Sequence, residues 1–193
     1  QQQRVPNTEV YLQGSVLKPF TEFLLTRLRG ICDSPGDEFR DQESVFTCAV
    51  PGLSGTRLRL RWSLLHPHLP AYLRYLGIPE SADHRVMSRA AYEVPVFPLD
   101  AARQLVESMG FQHEFDFIAE GTVFRRGLLK ITVYRVYRPG AHASLAPESS
   151  LVEVSGLGPS SLTAGMVESV LSVRDQLKSL VLLAKHDQKA PKA

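Results

Sequence analysis

Residues 111–138 read FQHEFDFIAEGTVFRRGLLKITVYRVYR, and the alternation within them decides the fold. Phe111, His113, Phe115 and Phe117 alternate with Gln112, Glu114, Asp116 and Ile118. Further on, Ile131, Val133, Arg135 and Tyr137 alternate with Lys130, Thr132, Tyr134, Val136 and Arg138. Successive side chains of a β-strand point to opposite faces, so this period of two predicts strands that each present two unlike faces. We read two antiparallel strands in the middle of a sheet, joined through Gly121 and Gly127, with the rest of the chain packing against them. The pattern sets architecture and carries no chemistry by itself.

Outward from this centre, the same reasoning places a first strand over Glu9 to Leu17. Pro19 suits a first helical turn, and Phe20, Leu24, Leu28 and Ile31 recur at helical spacing. Glu22 early and Arg27 and Arg29 late complement the helix dipole, and Ser34-Pro35-Gly36-Asp37 stops the helix with turn chemistry. Residues 42–50 and 56–66 read as an antiparallel pair across a turn at 51–55. In the second of these, Leu58, Leu60, Trp62 and Leu64 share one face and Arg57, Arg59 and Arg61 the other. Residues 71–76 form a short strand, and 85–97 another whose end Pro95 and Pro98 confine to an edge. Leu99, Ala102, Leu105, Val106 and Met109 predict a short amphipathic helix stopped by Gly110.

After the central pair, the small residues of 139–150 predict a mobile surface loop, and 151–155 a closing strand. A final helix is expected over about 163–184. Its stripe is Met166, Val170, Val173, Leu177 and Leu180, widened by Val167, Leu171, Val181 and Leu182. The polar ends, 1–7 and 186–193, are expected to be flexible. Neither a repeat nor a linker divides the chain, so residues 1–193 are expected to form a single domain.

The composition is ordinary for a globular protein: of 193 residues, 44% are hydrophobic and 22% charged. A net charge of +2 and a pI near 8.6 are too mild to indicate a nucleic-acid surface. No apolar run approaches the ~20 residues of a membrane-spanning helix. The chain does not open on a charged segment followed by an apolar one, so no secretory signal is expected. Cys32 and Cys48 make no CxxC; two reduced, partly buried thiols are favoured over a disulfide, which suggests an intracellular compartment.

Motifs for chemistry are scarce. There is no GxGxxG, Walker A, GxSxG or HExxH sequence, and Gly156-x-Gly158 is followed by a proline where a phosphate loop needs free N–H groups. His66-Pro67-His68 lacks a third ligand at metal-binding spacing and reads as an exposed loop pair. In a regular strand His113 points away from Glu114 and Asp116, so the three are not expected to converge as an acid–base cluster. Arg57, Arg59, Arg61, Arg125, Arg126, Lys130, Arg135 and Arg138, with Trp62 and Tyr134 nearby in sequence, could make a nucleic-acid-binding face. Solvated strand faces account for them more simply. We assign no catalytic, cofactor-binding or metal-binding residue.

Several stretches resemble the Mediator subunit 18 family, part of the transcriptional coactivator. They are Tyr11-Leu12-Gln13-Gly14-Ser15-Val16-Leu17, Arg27-Leu28-Arg29-Gly30-Ile31-Cys32-Asp33 and Tyr72-Leu73-Arg74-Tyr75-Leu76-Gly77. The most specific lie at the centre: Met109-Gly110-Phe111, His113-Glu114-Phe115, Glu120-Gly121-Thr122-Val123-Phe124-Arg125-Arg126-Gly127 and residues 130–138. Leu151-Val152-Glu153-Val154 and Gln176-Leu177-Lys178-Ser179-Leu180-Val181 close the resemblance.

It implies an α+β fold, a mostly antiparallel closed β-barrel decorated by about three helices and resembling the tunnel-shaped triphosphatases. It also implies a nuclear, non-enzymatic subunit of the head module. That subunit would pair with Mediator subunit 20, bind the C-terminal helix of Mediator subunit 8 and form a movable jaw facing RNA polymerase II. No cofactor, membrane contact or direct nucleic-acid contact is expected.

The alternatives are a metal-dependent triphosphate hydrolase or binder of the tunnel type, and a nucleic-acid-binding barrel. The tunnel enzymes carry Glu-x-Glu-x-Lys on their first strand. Here Glu9-x-Tyr11-x-Gln13 stands in its place, one carboxylate where a divalent cation wants several oxygen ligands.

Overall fold

The alternating segments pair into a closed antiparallel barrel. The computed structural model describes residues 7–50, 55–80, 83 and 85–185. In chain order the elements are β1 (Asn7–Leu17), α1 (Thr21–Ile31), β2 (Asp37–Cys48), β3 (Arg57–Ser63), β4 (Ala71–Leu76), β5 (Met87–Val96), α2 (Leu99–Ser108), β6 (Phe111–Arg126), β7 (Leu129–Tyr137), β8 (Ser149–Pro159) and α3 (Thr163–Leu177). Around the barrel the order is β1-β5-β4-β3-β2-β6-β7-β8, with β8 returning to β1. Closure removes the sheet edges, and the predicted α+β barrel with three helices is what the chain forms.

The apolar face of the wall points outward. Val10, Leu12 and Val16 of β1, Ile131 and Val133 of β7, and Val152 and Val154 of β8 lie beneath Leu24 and Leu28 of α1 and Met166, Val170, Val173 and Leu177 of α3. On the other side Phe46, Leu58, Leu60 and Ala71 lie beneath Ala102 and Val106 of α2. Both apolar cores therefore sit between barrel and helices. Each fully buried aliphatic or aromatic side chain contributes about 1.5–3 kcal/mol.

Three local features depart from the sequence reading. First, α3 ends at Leu177, whose carbonyl accepts from the N–H groups of Leu180 and Val181 at 2.9 and 3.0 Å. The chain then runs extended, burying Val181 and Leu183 and leaving Leu182 80% exposed. Val181-Leu182-Leu183 fits period two as well as a helical stripe, and a tertiary contact decides between them. β5 pairs with β1 only as far as Tyr11, so the side of β1 beyond it is open, and Ala184 bridges to Gln13 there. Gly14 makes room: a Cβ on it would lie 2.4 Å from the Leu182 carbonyl oxygen.

Second, Gly121 is not a joint. β6 runs through it uninterrupted, and the turn comes at Gly127 (φ +55°). A Cβ at Gly121 would stand 2.1 Å from the Val133 oxygen, so the bare backbone lets β7 approach closely.

Third, a bulge between Val45 and Phe46 in the β2–β6 register reverses the alternation of β6 at Glu114.

Among the described residues, Pro95 pairs with Tyr72 of β4 alone, and β1 meets β5 from Asn7, opposite Ala91. The stop expected at Gly110 holds. Gly110 (φ +91°) follows the last turn of α2, where left-handed backbone suits glycine. Cys32 and Cys48 are free thiols, one half-buried and one buried. The loop 139–150 is tied back by Leu145 N–H to the Val136 oxygen (2.8 Å) and by Lys18 N–H to the Glu148 oxygen (2.8 Å). The 51–55 turn lies outside the described residues apart from Gly55, as do 1–6 and 186–193 of the two ends.

Candidate functional site

With apolar residues facing outward, the alternate positions face into the barrel, and they are charged. Glu9, Tyr11 and Gln13 of β1 point inward. Asp41 and Glu43 of β2, Arg59 and Arg61 of β3, Arg74 of β4, and Arg89 and Glu93 of β5 share that face by register. Lys130 and Tyr134 of β7 and Glu153 of β8 complete it. Interactions between strands that are not neighbours confirm the assignment. Tyr134 on β7 is influenced by Glu43 on β2 and Arg89 on β5, and Lys130 by Arg61 on β3 and Arg74 on β4. Such groups meet only across the lumen.

The lumen acids Glu9, Asp41, Glu43, Glu93 and Glu153 are matched one for one by Arg59, Arg61, Arg74, Arg89 and Lys130. Glu9 and Arg89 form the most buried pair: Glu9 Oε2 lies 2.6 Å from Arg89 Nε, with side chains 7% and 9% exposed. Burial opposes the Arg89 charge, but Glu9 outweighs it and raises the guanidinium pKa further. The same guanidinium lies 4.5 Å over the Tyr11 ring, whose buried hydroxyl has no hydrogen-bond partner among the described residues. Burial pushes the Tyr11 phenol up.

Glu43 accepts from Arg59 at 3.1 Å, and Gln13 donates to Glu153 at 2.7 Å. Glu93 lies 2.6 Å from Arg74 and 3.5 Å from Arg61, which also reaches Asp41 at 3.9 Å. Arg74 Nε faces Glu93 off-line, close enough for attraction but without a hydrogen bond. Burial pushes the Asp41 carboxyl above its ordinary range despite Arg61. Burial, reinforced by Arg61 and Arg74, pushes the Lys130 ammonium down.

This corrects the reading of the arginines as a solvated strand face or a single basic surface. Arg59 and Arg61 line the lumen with Lys130, Trp62 packs outside against the α2 core, and Arg126 reaches out to Gln176 at 3.0 Å. Of the lumen charges, Arg74, Glu93 and Glu153 each lie between apolar or aromatic neighbours in sequence, as Glu153 does between Val152 and Val154. Charged and buried apolar residues alternating in several strands is the signal that could have revealed a polar lumen.

At the rim, the bulge brings together what a regular strand keeps apart. His113 Nε2 lies 2.8 Å from Asp116 Oδ1, which also accepts from Ser44 Oγ at 2.5 Å. Burial raises the Asp116 carboxyl, but these two partners outweigh it and leave it below its usual value. Glu114 turns elsewhere, accepting from Thr47 at 2.5 Å and Arg57 at 3.0 Å, and the Thr47 hydrogen bond leads in lowering its pKa. His66 and His68 are exposed, with ring centroids 6.0 Å apart.

A divalent cation wants several oxygen ligands free to turn toward it. Here Tyr11 and Gln13 bring no charge to the inner face of β1, and among the described residues the lumen carboxylates are engaged by Arg or Gln partners. The residues present do not fit a catalytic metal. Among the described residues, no three acidic, histidine or cysteine side chains are grouped to hold one. No helix among the described residues is long and apolar enough to cross a membrane.

Residues 68–190 match the protein family described as Med18 protein. The curated Mediator of RNA polymerase II transcription subunit 18 of Danio rerio is 40% identical over 189 residues, covering 94% of this chain and 89% of that protein. The chain belongs to the Mediator subunit 18 family. Its fold is similar to a chain in the structure of the Schizosaccharomyces pombe Mediator head module, with TM-score 0.76 and 15% identity over 92% of this chain and 98% of that one. The same barrel occurs at TM-score 0.58 and 13% identity in a Hippeastrum protein described as having a dominant triphosphatase activity, over 93% of this chain and 92% of that one. The two share the barrel fold alone, and among the described residues of this chain the lumen carboxylates are engaged by Arg or Gln partners.

Proposed function

We propose that this chain is a non-enzymatic assembly subunit of the Mediator head module in the nucleus. In this reading it pairs with Mediator subunit 20, receives the C-terminal helix of Mediator subunit 8, and forms a movable jaw that helps couple regulators to RNA polymerase II. The observation that carries the reading is the similarity to Mediator subunit 18 along nearly the whole chain.

Two physical features support it. The lumen charges neutralise one another, which leaves no nucleophile, base or metal ligand poised for turnover. The outer surface meanwhile exposes large apolar side chains on several elements, Phe23 at 65%, Phe97 at 76% and Ile78 at 84%.

Co-expression with tagged Mediator subunit 20 and the C-terminal segment of subunit 8 tests the proposal. The expected result is a stable complex that co-elutes on size exclusion. A monomer that ignores both partners would overturn it. Phosphate release from triphosphate with Mg²⁺ or Mn²⁺, abolished by Glu9→Gln, would instead establish the enzyme.

A further inference from the structure

An open cavity of about 590 Å³ lies at one mouth of the barrel, between β6, β7 and the loop that follows β7. That volume lies within the ~300–1,000 Å³ typical of ligand pockets. Its walls are aromatic and aliphatic: Phe115 and Phe117 stand with ring centroids 6.3 Å apart, and Tyr134, Tyr137, Val136 and Leu145 line the remainder. Phe115 is 46% exposed, so its ring is open to a ligand in the cavity.

Two cations belong to the same cavity. The Arg138 side chain is exposed, and its guanidinium makes no hydrogen bond or ion pair among the described residues; only its backbone carbonyl is engaged, accepting from Ala141 N–H at 3.0 Å. Arg59 gives one N–H to Glu43 at 3.1 Å and keeps further donors, since a guanidinium has five N–H groups. Asp116 also contributes to the lining, but Ser44 and His113 already hold its carboxylate.

We infer that this cavity binds an acidic peptide segment carrying one aromatic or large aliphatic side chain. The apolar anchor enters among Phe115, Phe117 and Tyr134, and a flanking carboxylate pairs with Arg138. Charge decides against a nucleotide or polyphosphate. With Arg59 committed to Glu43 and Asp116 on the wall, one unpaired cation remains, which is enough for one carboxylate and too little for a chain of phosphates. An Arg–carboxylate contact beside an aromatic anchor is a recurrent mode of peptide recognition.

The inference requires no assembly partner. Peptide binding is read on the isolated full chain, and Arg138→Glu is expected to leave the complex with Mediator subunit 20 intact. Failure here and failure of assembly are therefore distinguishable.

The probe is a short fluorescein-labelled peptide of serine, glycine and aspartate around a single tryptophan, followed by anisotropy. The expected dissociation constant is weak, roughly 10–100 μM, with at least about a tenfold loss for Arg138→Glu or for a probe with lysine in place of aspartate. Phe115→Ala, at an exposed position that does not endanger the fold, is expected to cost about fivefold, as is alanine in place of the probe tryptophan. The inference is overturned by no saturable binding up to about 1 mM, by binding indifferent to both variants, or by ATP displacing the peptide.

Discussion

Glu9 and Val10 are neighbours on β1, and both are almost completely buried, at 6% and 0% exposure. They hold the barrel in opposite ways. Val10 faces outward beneath the helices, where burying apolar surface is favourable in itself and needs only good packing. Glu9 faces the lumen, where taking a carboxylate out of water is costly and is offset only by Arg89. Stability therefore resides in the layer between wall and helices, while the lumen is tolerated because its charges pair. By the same contrast, the lumen charges are spent largely on one another.

The largest test of this contrast breaks one lumen pair. Glu9→Ala leaves Arg89 buried without its partner and is expected to cost about 3–5 kcal/mol in urea unfolding. Replacing both, as Glu9→Leu with Arg89→Met, is expected to be neutral or to stabilise by about 1–4 kcal/mol. A single variant as stable as the parent would mean that water reaches the pair, and the distinction between lumen and outer wall would fail.

Next comes the outer wall. Ile131→Ala, at a fully buried position under the helices, is expected to cost about 2–5 kcal/mol, and no second substitution of a single partner should restore it.

Lys130→Met sharpens the comparison with a smaller effect of opposite sign. A lysine whose folded pKa lies below its ordinary 10.5 binds fewer protons folded than unfolded. Stability therefore rises with pH between the folded value and 10.5, and is diminished at neutral pH. Lys130→Met is expected to abolish that alkaline rise and to keep or raise the urea midpoint at pH 7. A clear fall at pH 7 would show that Glu93 and Glu153 need this ammonium as counter-charge. The smallest effect belongs to the rim, where Arg57 pairs with Glu114 in solvent: Arg57→Ala is expected to change stability by at most ~0.2–1 kcal/mol.

Much of the wall was legible in the chain. Strands 71–76 and 130–137 and the helices at Thr21–Ile31 and Leu99–Ser108 announce themselves by period and by stop signals. The candidate cavity was not legible. Phe115 and Phe117 were visible as one face of a strand, but the bulge at Glu114 and the return of Leu145 over β7 are tertiary facts. The lumen network was half visible: Arg57, Arg59 and Arg61 share a face in any strand, yet whether that face meets water or the opposite wall depends on closure.

Local alternation and turn chemistry, which depend only on neighbours along the chain, determined that this protein is built from two-faced antiparallel strands with a few short helices. Its residue patterns likewise pointed to the Mediator subunit 18 family. Only the closed barrel decided which face is inside, that Glu9 meets Arg89, that residues 181–184 leave the helix to lie along β1, and that His113 reaches Asp116. These outcomes depend on groups far apart in sequence. A period of two tells which residues share a side, and the tertiary structure alone tells what that side faces.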